Sequence, residues 1–226
     1  MYEWIKNFLT GRLIQTKVNQ AMSSKQTLEE GLPQGSALSC TLFLIFINDL
    51  PKVLRYHKAL FDDDLALWYT HKSAEISALL LNEDLQRLHE YCTKWKLKIN
   101  ISKTVYTIFS NSSQMANKNL TLTIGGELLQ KENNPVYLGV TLDRQLNLNT
   151  HMQKMKEKSS RRLKIIKRLA STQWGANKKT LRQLYIGYVR STMEYNLALQ
   201  SIASKTTQAT FERVESAIHV NVICKC

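Results

Sequence analysis

The chain has 226 residues, of which 43% are hydrophobic, with only eight glycines and three prolines. This composition excludes a disordered or collagen-like chain and predicts one or two folded domains with a substantial core. The 31 lysines and arginines outnumber the 18 acidic residues and give a formal net charge of +13, which indicates a polyanionic partner, most simply a nucleic acid.

The cysteines and the apolar runs exclude two further classes of protein. Cys40, Cys92, Cys224 and Cys226 form neither a pair of Cys-x-x-Cys motifs nor a Cys/His set, so no zinc site is predicted. The longest apolar stretch, 42–47, is far below the roughly 20 residues that cross a membrane, and no segment resembles a signal peptide. We expect an intracellular protein of the nucleus or cytoplasm, with free thiols and no membrane association.

The first 51 residues predict two helices, joined by a weakly predicted strand and a loop. Apolar residues at helical spacing predict a short N-terminal helix that Gly11 ends, and a weak strand over 12–18 follows. A loop over 31–36 then leads into a helix over 37–50 that is apolar nearly all round. Such a helix is expected to be buried, and Pro51 is expected to end it.

Three consecutive aspartates, Asp62, Asp63 and Asp64, lie between two short apolar segments. Both flanks are strand-like, so we expect a hairpin with carboxylates at its tip. Acidic runs are usually solvated surface turns. The core-forming flanks favour a second interpretation, in which a bound cation neutralises the cluster.

Between residue 73 and about residue 148, helical and strand patterns mix. A long helix with an apolar stripe is predicted to begin at Ser73 and to cover one face of a sheet. The mixture predicts an α+β domain with an antiparallel component. The predicted strands lie at 98–100, 105–109, 120–124 and 136–142.

The composition changes near residue 149, beyond which we predict three helical segments and no strand. The first carries eight basic residues against the single acid Glu157. A charge run is usually a solvated face, but this imbalance favours a surface that binds phosphates. The second segment begins near Lys178, and the third lies around 211–218. The residues expected to contact a nucleic-acid backbone are Lys154, Lys158, Arg161, Arg162, Lys164, Lys167 and Arg168.

Four stretches of the chain carry the strongest motif signals. They are GLPQGSALSCTLFLIFINDLP at 31–51, LFDDDLALWYT at 60–70, WKLKINISKT at 95–104 and VYLGVTLD at 136–143. In order and spacing they resemble the reverse transcriptases of non-LTR retrotransposons, most closely those of the jockey-like elements of arthropods. Weaker similarity continues to residue 206, so the resemblance spans essentially the whole chain.

The resemblance implies an α+β architecture. Residues 31–148 would form a partial right-hand polymerase palm, an antiparallel sheet with helices. An all-helical thumb would follow over 149–226, and 1–30 would be a remnant of the connection between fingers and palm. The partners would be an RNA template, a DNA primer and deoxynucleoside triphosphates.

The resemblance also implies a two-metal site at the acidic hairpin. Asp63 and Asp64 would be the catalytic, metal-binding pair, with Asp63 the principal ligand, in a motif usually written Phe/Tyr-Ala-Asp-Asp. Two Mg²⁺ ions held there would activate the primer 3′-hydroxyl and stabilise the leaving pyrophosphate.

Other matched residues would bind the substrates. Lys103 would lie near the nucleotide phosphates, although without the family a plain surface lysine is an equally good interpretation. The loop expected to line the incoming nucleotide and the templating base consists of Pro33, Gln34, Gly35 and Ser36. The segment expected to hold the primer end consists of Tyr137, Leu138 and Gly139.

Two features depart from the family's pattern. Asp62 stands where the family has alanine, and this third carboxylate is expected to disturb packing and metal geometry. The family also uses an aspartate on an earlier strand, whereas this chain has no aspartate before Gly31. We therefore expect a fragment of an RNA-directed DNA polymerase that is inactive as an isolated chain, with the missing carboxylate ahead of residue 1. The alternative is a non-catalytic nucleic-acid binder.

Overall fold

The computed structural model of the chain describes residues 1–170, 175–195 and 208–209, in two compact units, Met1–Leu67 and Trp68–Cys226. Helices alternate with small, mostly antiparallel sheets, which confirms the α+β prediction. The helix predicted around 211–218 lies outside the described residues. The division into 1–30, 31–148 and 149–226 stays a prediction.

The first part of the chain consists of short elements. Strands β1 and β4 pair antiparallel with Arg12 opposite Leu28, and β2 and β3 form a small hairpin around Asn19. The predicted N-terminal helix is confirmed, since α1 ends just before Gly11. The elements are α1 (Tyr2–Leu9), β1 (Arg12–Ile14), β2 (Lys17–Val18), β3 (Ala21–Met22), β4 (Gln26–Leu28), α2 (Ala37–Ile47), α3 (Leu50–Val53), β5 (His57–Phe61) and β6 (Asp64–Trp68).

Helix α2 corrects two predictions. It buries only Ser39 and Ile47, whereas Ile45 is 67% exposed and Leu44 is 53% exposed. Full burial needs apolar partners on every side, and strands of two to five residues offer too little apolar surface. Pro51 does not end the helix but lies in the first turn of α3, where its missing N–H has no intrahelical partner to lose.

The acidic hairpin is confirmed. Strands β5 and β6 are hydrogen-bonded neighbours joined by the two-residue turn Asp62-Asp63. Asp62 has a φ of 53° and Asp63 has no positive φ, which is the pattern of a type II′ turn. Glycine, asparagine and aspartate dominate such positions. Asp62 therefore suits the turn better than the alanine that the resemblance leads one to expect there.

The second unit begins with a long helix and several two-residue strands. Strand β8 pairs antiparallel with β9, β11 pairs antiparallel with β12, and β10 pairs parallel with β7. The elements are α4 (Ala74–Lys94), a 3₁₀ turn (Ile101–Lys103), β7 (Val105–Tyr106), α5 (Ser113–Ala116), β8 (Thr123–Ile124), β9 (Glu127–Leu128), β10 (Gln130–Lys131), β11 (Val136–Tyr137) and β12 (Val140–Thr141).

Helix α4 begins as predicted, because the Ser73 side chain accepts a hydrogen bond from the Ile76 N–H at 3.3 Å. The Asn82 amide donates to the Thr121 carbonyl at 2.9 Å and accepts from the Thr123 N–H at 3.0 Å. The Asn82 side chain thus forms one donor and one acceptor hydrogen bond with the backbone at the start of β8, the same pair of bonds that a neighbouring strand would form. The completely buried Asp84 accepts a hydrogen bond from Arg87 at 2.7 Å.

The strand predicted over 12–18 is split into β1 and β2. All four strands predicted over 98–142 also need correction, and of 120–124 only Thr123 and Ile124 form a strand. Residues 98–100 form no strand, and only the first two residues of 105–109 are extended within a sheet. The predicted strand over 136–142 is a hairpin, because Leu138 and Gly139 have φ values of 46° and 77°. Positive φ at both central positions defines a type I′ turn. Such turns favour asparagine before glycine, so a leucine there hides the turn in the sequence.

The last described part is helical, as predicted. Helix α6 packs its apolar stripe on the following helices, and Val140 and Leu148 join the same core. The core residues of α6 are Met152, Leu163 and Ile166, and their helical partners are Leu181, Tyr185, Val189 and Met193. The elements are α6 (Asn149–Leu169), α7 (Lys178–Leu184), a π-helical segment (Tyr185–Arg190) and α8 (Ser191–Met193).

A buried histidine joins the β11–β12 hairpin to α6. His151 is 4% exposed, and its Nδ1 accepts a hydrogen bond from the Thr141 N–H at 3.3 Å. The Lys154 ammonium donates to the Thr141 hydroxyl at 3.2 Å. Burial lowers the pKa of His151, and the nearby Lys154 charge lowers it further. Burial and the Lys154 charge therefore both favour the neutral form of His151.

We predict that Asp62→Ala weakens the hairpin, because a positive φ costs alanine about 1 kcal/mol. Amide exchange of peptides covering 57–68, followed by mass spectrometry, should be about fivefold faster in this variant, in proportion to that energy. Asp62→Asn should exchange at the parental rate, because asparagine also adopts a positive φ. Equal protection in the alanine variant would contradict the turn conformation.

We predict that the second unit loses stability as the pH falls from about 7.5 to 5.5, around the ordinary histidine pKa. The pKa of His151 is lower in the folded chain, so the unfolded chain takes up the proton first. The stabilisation is complete above the unfolded pKa and declines as the pH falls towards the folded one. Urea unfolding followed by circular dichroism measures this slope. His151→Gln should flatten it, and an unchanged slope in this variant would contradict the prediction.

Candidate nucleic-acid and metal site

The three aspartates at the β5–β6 turn are exposed. Asp62 and Asp63 form the turn, and Asp64 is the first residue of β6. Within the described part of the chain, none of the three forms an ion pair or a side-chain hydrogen bond. Their carboxylate oxygens are therefore solvated and available to a ligand.

Carboxylate oxygens are the ligands that Mg²⁺ prefers, so the chemistry of the tip suits the ion. However, no group of three or more histidine, cysteine or acidic side chains among the described residues could hold a metal. The described residues therefore form no complete metal site at this tip.

The loop ahead of α2 has a defined backbone conformation. Gly35 has a φ of 86°, in the region that glycine adopts without strain, and Ser36 precedes the first turn of α2. The Ser39 hydroxyl donates to the Pro33 carbonyl at 2.6 Å, which ties the loop to the helix. Gln34 and Gly35 are exposed, so this loop presents backbone and an amide side chain to solvent.

Lys103 lies at the end of the 3₁₀ turn. Its N–H donates to the Asn100 side chain at 3.3 Å, and the Thr104 N–H donates to the Asn100 carbonyl at 3.1 Å. The backbone is thus fixed while the Lys103 side chain remains exposed. Both interpretations of this lysine stay open.

The second unit brings the β11–β12 hairpin and the start of α6 together. Val140 packs in the core with Met152 of α6, and Thr141 contacts both His151 and Lys154. Leu138 and Gly139, at the tip, are exposed. The segment expected to hold the primer end therefore includes an exposed turn, which leads into the buried strand β12.

The seven basic residues predicted to face phosphates have different surroundings. Lys154 bonds Thr141, as described above. The Arg162 guanidinium stacks on the Tyr188 ring with 4.5 Å between Cζ and the ring centroid, and it donates to the Tyr188 carbonyl at 2.7 Å and to the Thr192 hydroxyl. The five that are exposed and form neither an ion pair nor a side-chain hydrogen bond in the described chain are Lys158, Arg161, Lys164, Lys167 and Arg168.

A shallow cavity of about 450 Å³ lies along α6, and its lining includes two of these five residues, Arg161 and Lys164. Its lining adds side-chain hydrogen-bonding groups that the charge pattern alone did not indicate, because amides and hydroxyls do not register in a charge count. Their spacing of three and four residues from the lysines on the helix was the signal that could have identified them. The lining residues are Gln153, Lys156, Glu157, Ser160, Arg161 and Lys164.

No helix of the described residues is long and apolar enough to cross a membrane. No solved structure matches the chain significantly. The chain is 28% identical over 213 residues to a probable RNA-directed DNA polymerase from transposon BS of Drosophila melanogaster. The aligned residues cover 91% of this chain and 23% of that protein.

Two further relatives come from other mobile elements. The chain is 28% identical over 218 residues to the RNA-directed DNA polymerase from mobile element jockey of Drosophila funebris, again covering 91% of this chain and 23% of that protein. It is 27% identical over 150 residues to a retrovirus-related Pol polyprotein from type-1 retrotransposable element R1 4 of Nasonia vitripennis, covering 60% of this chain and 38% of that protein. The chain thus spans less than half the length of these relatives.

Residues 1–142, which include the acidic hairpin and the β11–β12 hairpin, match the family described as "Reverse transcriptase (RNA-dependent DNA polymerase)". Because this match covers more than half of the chain and the relatives are polymerases of non-LTR retrotransposons, the chain belongs to the reverse transcriptase family of these elements.

Proposed function

We propose that this chain is part of an RNA-directed DNA polymerase that adds deoxynucleotides to a primer on an RNA template. The observation that carries the proposal is the exposed, unpaired carboxylate pair Asp63 and Asp64 at a tight hairpin tip, inside the stretch that matches the family. Strands on both sides fix where the pair lies, and water can be displaced from it by a cation.

Adjacent carboxylates repel each other, so a divalent cation bound between them offsets an unfavourable arrangement. We propose that Asp63 and Asp64 are the ligands that this chain contributes to the metal site. Bound Mg²⁺ would supply activation of the primer 3′-hydroxyl and charge neutralisation at the leaving pyrophosphate. Asp62 does not complete the set, since no group of three or more histidine, cysteine or acidic side chains among the described residues could hold a metal ion.

The remaining matched residues would bind substrates rather than take part in the chemistry. We propose that the loop Pro33–Ser36 lines the incoming nucleotide and the templating base, that Lys103 pairs with the nucleotide phosphates, and that the tip 137–139 holds the primer end. Each of these positions presents exposed groups on a fixed backbone, as binding to a polymeric substrate requires.

The exposed bases of α6 would bind the template–primer duplex. From Lys158 to Arg168 the helix rises about 15 Å, a length that corresponds to about four phosphates of one strand. Arg162 and Lys154 also form hydrogen bonds within the protein, so we propose that they contribute less to phosphate binding than the other five. This surface is also what a non-catalytic nucleic-acid binder would retain.

We predict that the purified 226-residue chain does not extend a DNA primer on an RNA template in the presence of Mg²⁺. A two-metal reaction needs ligands for both ions, and the described residues supply only part of that set. Gel analysis of the labelled primer, with an active reverse transcriptase as positive control, gives the readout. Clear templated extension would show that the ligand set is complete in this chain.

We predict that the double charge reversal Arg161→Glu with Lys164→Glu weakens binding to an RNA–DNA hybrid at least tenfold. It should also reduce the slope of log K against log salt by about 2, because two phosphate contacts are lost. Fluorescence anisotropy at several salt concentrations measures both quantities.

The matched control for this experiment is Lys17→Glu with Lys25→Glu, which makes the same change in net charge at exposed positions elsewhere. It should leave the salt slope nearly unchanged. The pair Asp63→Ala with Asp64→Ala should bind at least as well as the parent, because no phosphate contact is removed. Equal losses in the two charge-reversal variants would mean that binding follows net charge rather than the α6 surface.

A further inference from the structure

A tyrosine that follows α8 contacts the tip of the β11–β12 hairpin. The Tyr195 hydroxyl donates a hydrogen bond to the Leu138 carbonyl at 3.1 Å, across 57 residues of sequence. Its ring lies against Gly139, where an added Cβ atom would be 3.1 Å from Tyr195 Cε1 and 3.2 Å from the hydroxyl oxygen. One side chain therefore contacts both residues of the turn.

The other end of this hairpin is also fixed. Val140 is buried in the core with residues of α6, and the Thr141 N–H and hydroxyl bond His151 and Lys154. Two strands of two residues each have few bonds of their own to hold the turn in place. The contacts at the base and at the tip therefore determine where the tip lies relative to α6.

The tip keeps an open side despite the tyrosine. Leu138 and Gly139 are both exposed, and glycine allows a close approach of backbone to a ligand. Tyr195 is itself 52% exposed, so its hydrogen bond is not the by-product of a tightly packed core. The contact fixes the backbone of the turn and leaves the tip accessible.

We propose that Tyr195 is a positioning residue for the primer. It holds the tip that contacts the primer 3′ end at a fixed place relative to the α6 surface that binds the duplex. The inference rests on the proposed function, in which 137–139 hold the primer end. Tyr195 acts through Leu138 and Gly139, so its loss should affect recognition of a primer end and leave general duplex binding intact.

The test compares two probes on the full chain. One is an RNA–DNA hybrid with a recessed DNA 3′ end, and the other is a blunt hybrid with the same base pairs. We expect the parent to bind the recessed probe more tightly, and Tyr195→Phe to reduce this preference about fivefold, the scale of one lost hydrogen bond. Blunt-hybrid affinity should stay at the parental value, which a general loss of structure would not permit.

Tyr188→Phe is the matched control, because it removes a hydroxyl that has no partner among the described residues while keeping the ring on Arg162. It should preserve the preference. Gly139→Ala and Gly126→Ala form a second pair, since both replace a glycine at positive φ, 77° and 88°. Only Gly139 has Tyr195 against it, and the Gly126 position is open. Gly139→Ala should therefore lose the preference and Gly126→Ala should keep it.

The outcomes separate this inference from the proposed function. A parental preference that survives in Tyr195→Phe would overturn the positioning role and leave the primer contact of 137–139 standing. A parent that binds both probes equally would overturn the primer contact and the positioning role together. Circular dichroism of each variant confirms that the comparison is made between folded chains.

Discussion

The handedness of two-residue turns is the constraint on which both candidate site hairpins depend. Their strands are two to five residues long, so the turn, more than the ladder, sets which residues lie opposite each other. The right-handed twist of paired strands requires positive φ in such turns, as at Asp62 and Leu138. For most side chains that conformation costs about 1 kcal/mol or more. Such a turn therefore needs either a residue that readily adopts positive φ or contacts from neighbouring elements that stabilise an unfavourable one.

The two hairpins meet this constraint in different ways. Aspartate is one of the residues that positive φ favours, so the acidic turn is stabilised by its own sequence and its carboxylates need no contact elsewhere. Leucine is not such a residue. The Leu138 turn is held by Val140 in the core, by His151 at the base and by Tyr195 at the tip. The second hairpin thus depends on the helices around it, and its geometry changes when they do.

The sequence predicted the elements whose side chains follow a regular apolar pattern. Helices α4 and α6 follow from an apolar period maintained over 21 residues each, and the acidic hairpin follows from its apolar flanks. The exposure of α2 was not predictable, because burial depends on what the rest of the fold offers as cover. The Leu138 turn was missed because its conformation comes from tertiary contacts and not from residue preference. The expected metal and substrate residues remain predictions, since residue type does not fix which side chains converge.

Neighbouring arginines on α6 explain why a charge count cannot locate a binding surface. Successive residues on a helix point about 100° apart, so Arg161 faces solvent while Arg162 bonds Tyr188 and Thr192. Arg162 therefore fastens α6 to the π-helical segment and to α8. Tyr195, two residues after α8, in turn contacts the Leu138 turn. The exposed face of α6 and the tip of the hairpin are consequently joined through one continuous set of contacts. Any displacement of α6 must then move the tip, or break the Arg162 or Tyr195 contact.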